Sequence, residues 1–150
     1  MAVEVGQTAP DFSLRDQNRQ IRTVADLAGA NAMVIFIPWA FTRTCQAELC
    51  TLRDNLAGLE AHGARVLVIT CDSVASNRRW AEDQGFTFPI LSDHWPHGET
   101  ARAYGCFNKA LGVAMRSTYV LDEEGMVTEI VTTDRLDQPR DWAEYERALS

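Results

Sequence analysis

The sequence lacks an excess of positive charge, a long apolar run and a basic N-terminal region. Its 150 residues include 14 Lys and Arg against 21 Asp and Glu, a net charge of −7, so we expect no nucleic-acid partner and no binding to anionic lipids. Every apolar run is far shorter than the roughly 20 residues that cross a bilayer. The first residues do not resemble a secretory signal. We therefore predict a single domain, residues 1–150, that is cytoplasmic and has no membrane partner.

Paired cysteine motifs are also missing. The sequence contains four cysteines: Cys45, Cys50, Cys71 and Cys106. They form no Cys-x-x-Cys pair and no zinc-type spacing with histidines, and His94 and His97 lack a third ligand. Without a secretory signal, a permanent disulfide framework is not expected. We interpret Cys71 and Cys106 as small buried hydrophobic side chains, and we expect no metal ion or other cofactor.

Hydrophobic periodicity predicts an alternation of strands and helices between two hairpins. The predicted elements are an N-terminal hairpin (11–14 and 20–24), strands at 32–37 and 66–71, a short strand or loop at 88–93, helices at 44–61, 75–84 and 100–104, a second hairpin (117–122 and 126–131) and a last helix after Pro139. The first long helix carries leucines at three- and four-residue spacing, so one of its faces is apolar. Continuous apolar strands joined through helices predict a parallel sheet covered on both faces.

Cys45 follows the strand at 32–37, where the first long helix is predicted to begin. Unpaired backbone N–H groups and the positive end of the helix dipole favour an ionised, nucleophilic sulfur at that place. Thr42, one turn earlier, suits either an N-cap or a hydroxyl that bonds the thiolate. Pro38 suits either a strand terminator or a shield that keeps water from the sulfur. The residues alone leave both alternatives open.

The pattern Pro38-x-x-x-Thr42-x-x-Cys45 resembles the active-site signature of the peroxiredoxins, thiol enzymes that reduce peroxides. Further segments extend the resemblance over most of the chain: Ala9-Pro10-Asp11-Phe12, Phe88-Pro89-Ile90-Leu91-Ser92-Asp93 and Ala103-Tyr104-Gly105. The segments Ala40-Phe41-Thr42 and Trp95-Pro96-His97-Gly98 are most similar to the alkyl hydroperoxide reductase E group. The resemblance implies a thioredoxin-like α/β fold with an N-terminal β-hairpin extension.

The resemblance also implies roles for individual residues. Cys45 would attack a peroxide oxygen and become a sulfenic acid, with Thr42 bonded to the thiolate and to the peroxide, and Pro38 as the shield. Arg116, just before the strand at 117–121, matches the arginine that contacts the cysteine sulfur and the peroxide oxygens in the family. From the sequence alone, an arginine at a strand edge is expected on the surface.

Cys50 departs from the E group, which commonly works with one essential cysteine. Its spacing from Cys45 resembles the Q-type, or bacterioferritin-comigratory, peroxiredoxins, in which the second cysteine resolves the sulfenic acid as an intramolecular disulfide. In a helix this spacing puts the side chains about 140° apart and the Cα atoms about 8 to 9 Å apart, beyond the roughly 7 Å that a disulfide allows. The first helical turns would have to unwind. Cys50 is therefore either the resolving thiol or a spectator.

We expect a thiol peroxidase that reduces hydrogen peroxide and organic hydroperoxides through Cys45. The resemblance implies a reductant that is a low-molecular-weight thiol or a thioredoxin-like or mycoredoxin-like protein, and a two-fold homodimer is the default assembly. If Cys50 is a spectator, an external thiol resolves the sulfenic acid. A thiol-disulfide oxidoreductase would require a Cys-x-x-Cys motif, and a non-enzymatic interaction or holdase module would leave the set of Pro38, Thr42, Cys45 and Arg116 unexplained.

Overall fold

The computed structural model describes residues 2–133 and 135–149. In chain order its strands are β1 (Ser13–Arg15), β2 (Ile21–Thr23), β3 (Ala32–Phe36), β4 (Arg65–Thr70), β5 (Ile90–Ser92), β6 (Phe107–Asn108), β7 (Val113–Ala114), β8 (Ser117–Leu121) and β9 (Val127–Thr132). Its α-helices are α1 (Arg43–Ala61), α2 (Val74–Gln84), α3 (Glu99–Tyr104) and α4 (Trp142–Leu149). None of the helices in the described ranges is long and apolar enough to cross a membrane.

Seven strands form one sheet in the order β2-β1-β5-β4-β3-β8-β9. The three central strands β3, β4 and β5 are parallel, and β8 and β9 continue the sheet as an antiparallel pair beside β3. The N-terminal hairpin joins the other side through β1 and β5. The predicted order of a hairpin, parallel strands and a second hairpin is thus confirmed.

Helices cover both faces of this sheet, and β3 shows why its sequence is a continuous apolar run. Met33 and Ile35 pack into a core with residues of α1, α2 and α4. Val34 and Phe36 point to the opposite face, where the core includes Tyr104 of α3. Because successive side chains of a strand alternate between faces, a strand buried on both sides has no polar position. The prediction of a sheet covered on both faces is confirmed.

Two short elements were not predicted. A 3-10 helix at Val24–Leu27 follows the first hairpin, and β6 and β7 pair as a separate two-stranded sheet. Strands of two residues are too short to show an alternating pattern, so hydrophobic periodicity could not reveal them. The longer elements match their predicted positions to within a residue or two, and α1 begins at Arg43.

The carboxyl ends of β3, β4 and β5 lie at one edge of the sheet. The loop from β3 to α1 starts there. Because β8 runs antiparallel to β3, with Ser117 paired to Phe36, the residues just before Ser117 lie at the same edge. This topology brings Arg116 to the place where the chain leaves β3 toward Cys45.

Candidate active site

Cys45 is the third residue of α1, and its side chain is fully buried. The first hydrogen bond of the helix runs from the Gln46 N–H to the Thr42 carbonyl, at 2.8 Å. The N–H groups of Arg43, Thr44 and Cys45 precede this bond and have no partner within the helix. The sulfur therefore lies at the positive end of a 19-residue helix, as the sequence predicts, where an anion is favoured.

The loop from β3 to α1 is held by specific hydrogen bonds. The Ala40 N–H donates to Asp72 Oδ2 (2.8 Å), beyond the end of β4. The Thr42 hydroxyl donates to the Trp39 carbonyl (2.9 Å). Phe41 between them has a φ of 66°, a left-handed conformation that a bulky residue adopts only where its surroundings enforce it. These contacts fix the direction in which the chain enters α1.

Thr42 and Pro38, for which the sequence alone allows two roles each, lie within this loop. Thr42 occupies the N-cap position of α1, but its side chain forms no capping hydrogen bond. The Thr42 hydroxyl donates its hydrogen bond to the Trp39 carbonyl, so its oxygen can act only as an acceptor toward another group. Pro38 lies two residues after the end of β3 and is itself buried.

One helical turn after Cys45, Glu48 holds two buried arginines. Arg116 Nη1 donates to Glu48 Oε1 at 2.6 Å. Arg140 donates from Nη2 to Oε1 (2.8 Å) and from Nε to Oε2 (2.9 Å). The arginine side chains are 2% and 1% exposed and Glu48 is 9% exposed. Two cations against one anion leave the cluster with one net positive charge, and this charge is buried close to the thiol.

Arg140 ties this ion cluster to the sheet and to α4. Its Nη1 donates to the Phe36 carbonyl (2.7 Å) and to Thr118 Oγ1 (3.1 Å). Thr118 Oγ1 lies 2.6 Å from the hydroxyl of Tyr145 in α4. Burial alone would lower the pKa of Arg140, but Tyr145, Glu48 and Cys45 raise the pKa above its ordinary value. Arg140 therefore stays cationic within electrostatic reach of Cys45.

Glu48 stays anionic for a related reason. Burial acts to raise the pKa of Glu48, but the hydrogen bonds and charge of Arg140, together with the charge of Arg116, outweigh it and hold the pKa below its ordinary value of 4.5. Burying an ion is costly unless it is paired and hydrogen-bonded. Both carboxylate oxygens of Glu48 meet that condition.

Arg116 is buried, although its sequence position alone suggested the surface. Its Nε donates to the Leu136 carbonyl at 2.7 Å, and its Nη1 bonds Glu48. Among residues 2–133 and 135–149, its remaining nitrogen, Nη2, has no hydrogen-bond partner, and it is not one of the fully buried unpaired atoms. Arg116 therefore retains one N–H donor group that the described residues leave unpaired.

Sequence reasoning missed Glu48 and Arg140. The sequence could have predicted that Glu48 lies near Cys45, because a residue three positions later in a helix lies on the same face. Arg140 had none, because it lies 92 residues from the carboxylate that it bonds and only the packing of the last loop brings it there.

Cys50 lies on a different side of α1 from Cys45. Its thiol is half-buried and donates to Gln84 Oε1 of α2 at 3.7 Å. All four cysteines are free thiols, and α1 is continuous through both Cys45 and Cys50. A bond between these two sulfurs therefore requires part of α1 to unwind, as the helical geometry predicts.

Cys71 and Cys106 are buried, which confirms their interpretation as core residues. Burial, together with the negative charge of Asp93, raises the pKa of the Cys71 thiol to about 12. Burial also raises the pKa of Cys106 to about 12. Both thiols are therefore protonated at neutral pH and are poor nucleophiles.

We predict that an alkylating reagent leaves Cys71 and Cys106 unmodified in the folded protein near neutral pH. At about pH 8, a pKa of about 12 leaves only about one thiol in 10,000 ionised. A short iodoacetamide pulse followed by peptide mass spectrometry would measure this, with urea-unfolded protein as the control. Labelling of either cysteine at the rate of the unfolded chain would contradict the prediction.

Known proteins resemble this chain in sequence over most of its length. The model of the AhpC/TSA family matches residues 5–130. The chain is 42% identical over 151 residues to alkyl hydroperoxide reductase E of Mycobacterium tuberculosis, which covers 99% of each chain. It is 29% identical over 134 residues to peroxiredoxin Bcp of Escherichia coli, which covers 85% of each chain.

Solved structures give the same result for the fold. Peroxidoxin BcpB from Mycobacterium tuberculosis matches with a TM-score of 0.83 at 28% identity, covering 98% of this chain and 94% of that chain. AhpC from Enterococcus faecalis matches with a TM-score of 0.89 at 24% identity, covering 99% of this chain and 91% of that chain. The predicted thioredoxin-like fold is confirmed.

Proposed function

The chain belongs to the AhpC/TSA family of peroxiredoxins and is a thiol-dependent peroxidase, and we propose that Cys45 is the sulfur that attacks the peroxide. The observation that carries this proposal is the position of Cys45 at the start of α1, one turn before a buried cluster with net positive charge. The thiolate attacks the outer peroxide oxygen, the O–O bond breaks, and the leaving oxygen takes up a proton from solvent and departs as water or an alcohol. Cys45 becomes a sulfenic acid.

Three neighbouring side chains have separate roles in this proposal. The Thr42 oxygen accepts a hydrogen bond from the peroxide, because its own proton is used on Trp39. Arg116 Nη2 donates to the peroxide oxygens and stabilises the charge that develops as the O–O bond breaks. Pro38, which has no N–H and is buried, keeps water from the sulfur.

Glu48 and Arg140 act on the reaction through Arg116 and through charge. Glu48 fixes the Arg116 guanidinium, which keeps Nη2 in one orientation. Arg140 neutralises Glu48, so the positive charge of Arg116 is not cancelled. Such a preorganised cation needs no rearrangement when the thiolate and the leaving oxygen carry charge.

The peroxiredoxin family acts on peroxides with thioredoxin-type reductants. For this chain we propose hydrogen peroxide and organic hydroperoxides as substrates, and a thioredoxin-like protein, a mycoredoxin-like protein or a low-molecular-weight thiol as reductant. Four free thiols and a need for a thiol reductant suit the reducing cytoplasm, where we place the enzyme.

We propose that Cys50 resolves the sulfenic acid. The Cys50 sulfur attacks the sulfur of Cys45, the S–O bond breaks, and hydroxide leaves with the thiol proton as water. The product is a Cys45–Cys50 disulfide, and two electrons from a later reductant restore both thiols. The half-buried position of Cys50 near the helix start supports this role, since only terminal turns of α1 have to open.

The test is to treat reduced protein with one equivalent of peroxide. We predict a monomeric chain with a Cys45–Cys50 disulfide, seen by peptide mapping without reductant. Amide exchange over residues 44–52 should accelerate in this oxidised form, because helical hydrogen bonds there are broken. A stable sulfenic acid on Cys45 would instead favour the one-cysteine mechanism with an external thiol, and a bridge to Cys71 or Cys106 would also exclude Cys50.

We further propose a two-fold homodimer formed through the loops near Cys45, at the carboxyl ends of β3, β4 and β5. Three large apolar side chains are exposed in loops at this edge: Phe41 (50%), Trp95 (82%) and Leu111 (51%). His97 Nε2 lies 2.6 Å from the Gly112 carbonyl, which connects the loop that carries Trp95 to the loop that carries Leu111. Exposed aromatic side chains of this kind are enriched at protein interfaces.

The dimer predicts that Trp95→Asp yields a monomer, because a charge would be buried in the contact. Sedimentation velocity of the reduced protein would measure its mass. Val5→Asp is the matched control, since Val5 is also exposed (58%) but lies near the opposite end of the sheet, where the adjacent Gly6 bonds Val127. Equal masses for wild type and Trp95→Asp would exclude this surface as the interface.

A further inference from the structure

Two side chains of α1 attach to a single residue of α2. The Cys50 thiol donates to the side-chain oxygen of Gln84 (3.7 Å), and Arg53 Nη1 donates to the backbone carbonyl of Gln84 (2.6 Å). Gln84 is the last residue of α2. Cys50 and Arg53 are three positions apart, so they share one helix face. We call Arg53 and Gln84 together the Gln84 clamp.

Arg53 is held in a second way. Its guanidinium carbon lies 6.0 Å from the centroid of the Phe86 ring, at the limit of a cation–π contact. Phe86 is buried in the core with Trp80 and Leu52. Arg53 thus contacts a buried core residue, whereas the contact of Cys50 is a weak thiol hydrogen bond.

The two attachments behave differently when a Cys45–Cys50 disulfide forms. Cys50 has to leave Gln84, because its sulfur moves toward Cys45. Arg53 lies after the segment between the two cysteines, and its bond to Gln84 can persist. Gln84 therefore bonds Cys50, which must move when the disulfide forms, and Arg53, which can stay in place.

We propose that Arg53 and Gln84 are positioning residues for the resolving step. Gln84 holds Cys50 in helical register in the reduced protein, and Arg53 stops the unwinding of α1 at its own position. Local opening then exposes little of the core, and the helix can refold once the disulfide is reduced. This inference rests on the proposed role of Cys50 as the resolving thiol.

Gln84→Leu tests the hold on Cys50. The substitution removes the side-chain oxygen and keeps the backbone carbonyl that Arg53 bonds. Because a hydrogen bond that must break on opening is gone, we expect disulfide formation to be about threefold faster, with no change in the preceding reaction of Cys45 with peroxide. Rapid quenching with an alkylating reagent, followed by mass spectrometry, separates the two steps.

Arg53→Met tests the boundary of unwinding. In oxidised wild type, amides 56–61 should stay protected, whereas in oxidised Arg53→Met their exchange should accelerate about tenfold, since a hydrogen bond from a charged donor is lost. The reduced forms should not differ there. Arg53→Lys, which keeps a cationic donor, should restore protection. Arg79→Met removes an exposed arginine that pairs with Asp83 within α2 and is the matched control.

The outcomes separate this inference from the proposed function. If wild type forms no Cys45–Cys50 disulfide, the resolving role of Cys50 and the Gln84 clamp are both wrong. If the disulfide forms but Gln84→Leu leaves its rate unchanged, or Arg53→Met leaves residues 56–61 protected, the clamp alone is overturned and the resolving role stands.

Discussion

Cys45→Ser abolishes peroxide consumption and leaves the fold intact. A serine hydroxyl does not ionise near neutral pH and cannot form a sulfenic acid, so the step that breaks the O–O bond is lost. We expect turnover to fall by at least about 10⁴-fold, as when other enzymes lose a nucleophile. The side chains are similar in size, so the core around Cys45 should stay packed. Peroxide consumption with excess thiol measures the activity, and thermal unfolding measures the fold.

Cys50→Ser is the control for this experiment. It should keep the first reaction with peroxide, because the attacking sulfur is present, and lose only the intramolecular disulfide. If Cys45→Ser still consumes peroxide catalytically, the assignment of Cys45 is wrong.

Arg116→Met lowers the second-order rate constant for peroxide by about 100-fold to 1,000-fold. Removing one donor that stabilises a developing anion has a cost of this order. The substitution also cancels the net positive charge of the cluster, because Glu48 and Arg140 then form a neutral pair. Glu48 keeps the hydrogen bonds of Arg140 to both its oxygens, so the protein should still fold. Stopped-flow kinetics of the reduced protein gives the rate constant.

Arg116→Lys separates charge from geometry. Lysine restores a cation near Glu48 but lacks the planar fork that bonds Glu48 and the peroxide together. Its rate constant should lie between those of wild type and Arg116→Met. A wild-type rate constant in a folded Arg116→Met would remove Arg116 from the active site.

The fold was predictable where a pattern extends over many residues. The continuous apolar run of β3 and the leucine spacing of α1 both depend on burial of a whole face, which a sequence displays directly. The strands β6 and β7 pair only with each other, over two residues each. Two residues are too few to show an alternating pattern.

The residues of the site also differ in how far the sequence could predict them. Pro38, Thr42 and Cys45 are close in the sequence, and their motif predicted their common location at the start of α1. Arg116 required the family resemblance, because only the antiparallel pairing of β8 with β3 brings it to that edge. Arg140 remained hidden, since its partners Glu48, Phe36 and Thr118 come from three distant segments.

The central claim is that peroxide oxidises Cys45 first. Its most direct test uses Cys50→Ser, treated with one equivalent of peroxide in the presence of a reagent that traps sulfenic acids and mapped by peptide mass spectrometry. We predict a single label, on Cys45, in an amount equal to the peroxide consumed. A label on Cys71 or Cys106, or peroxide consumption without a label on Cys45, would contradict the claim.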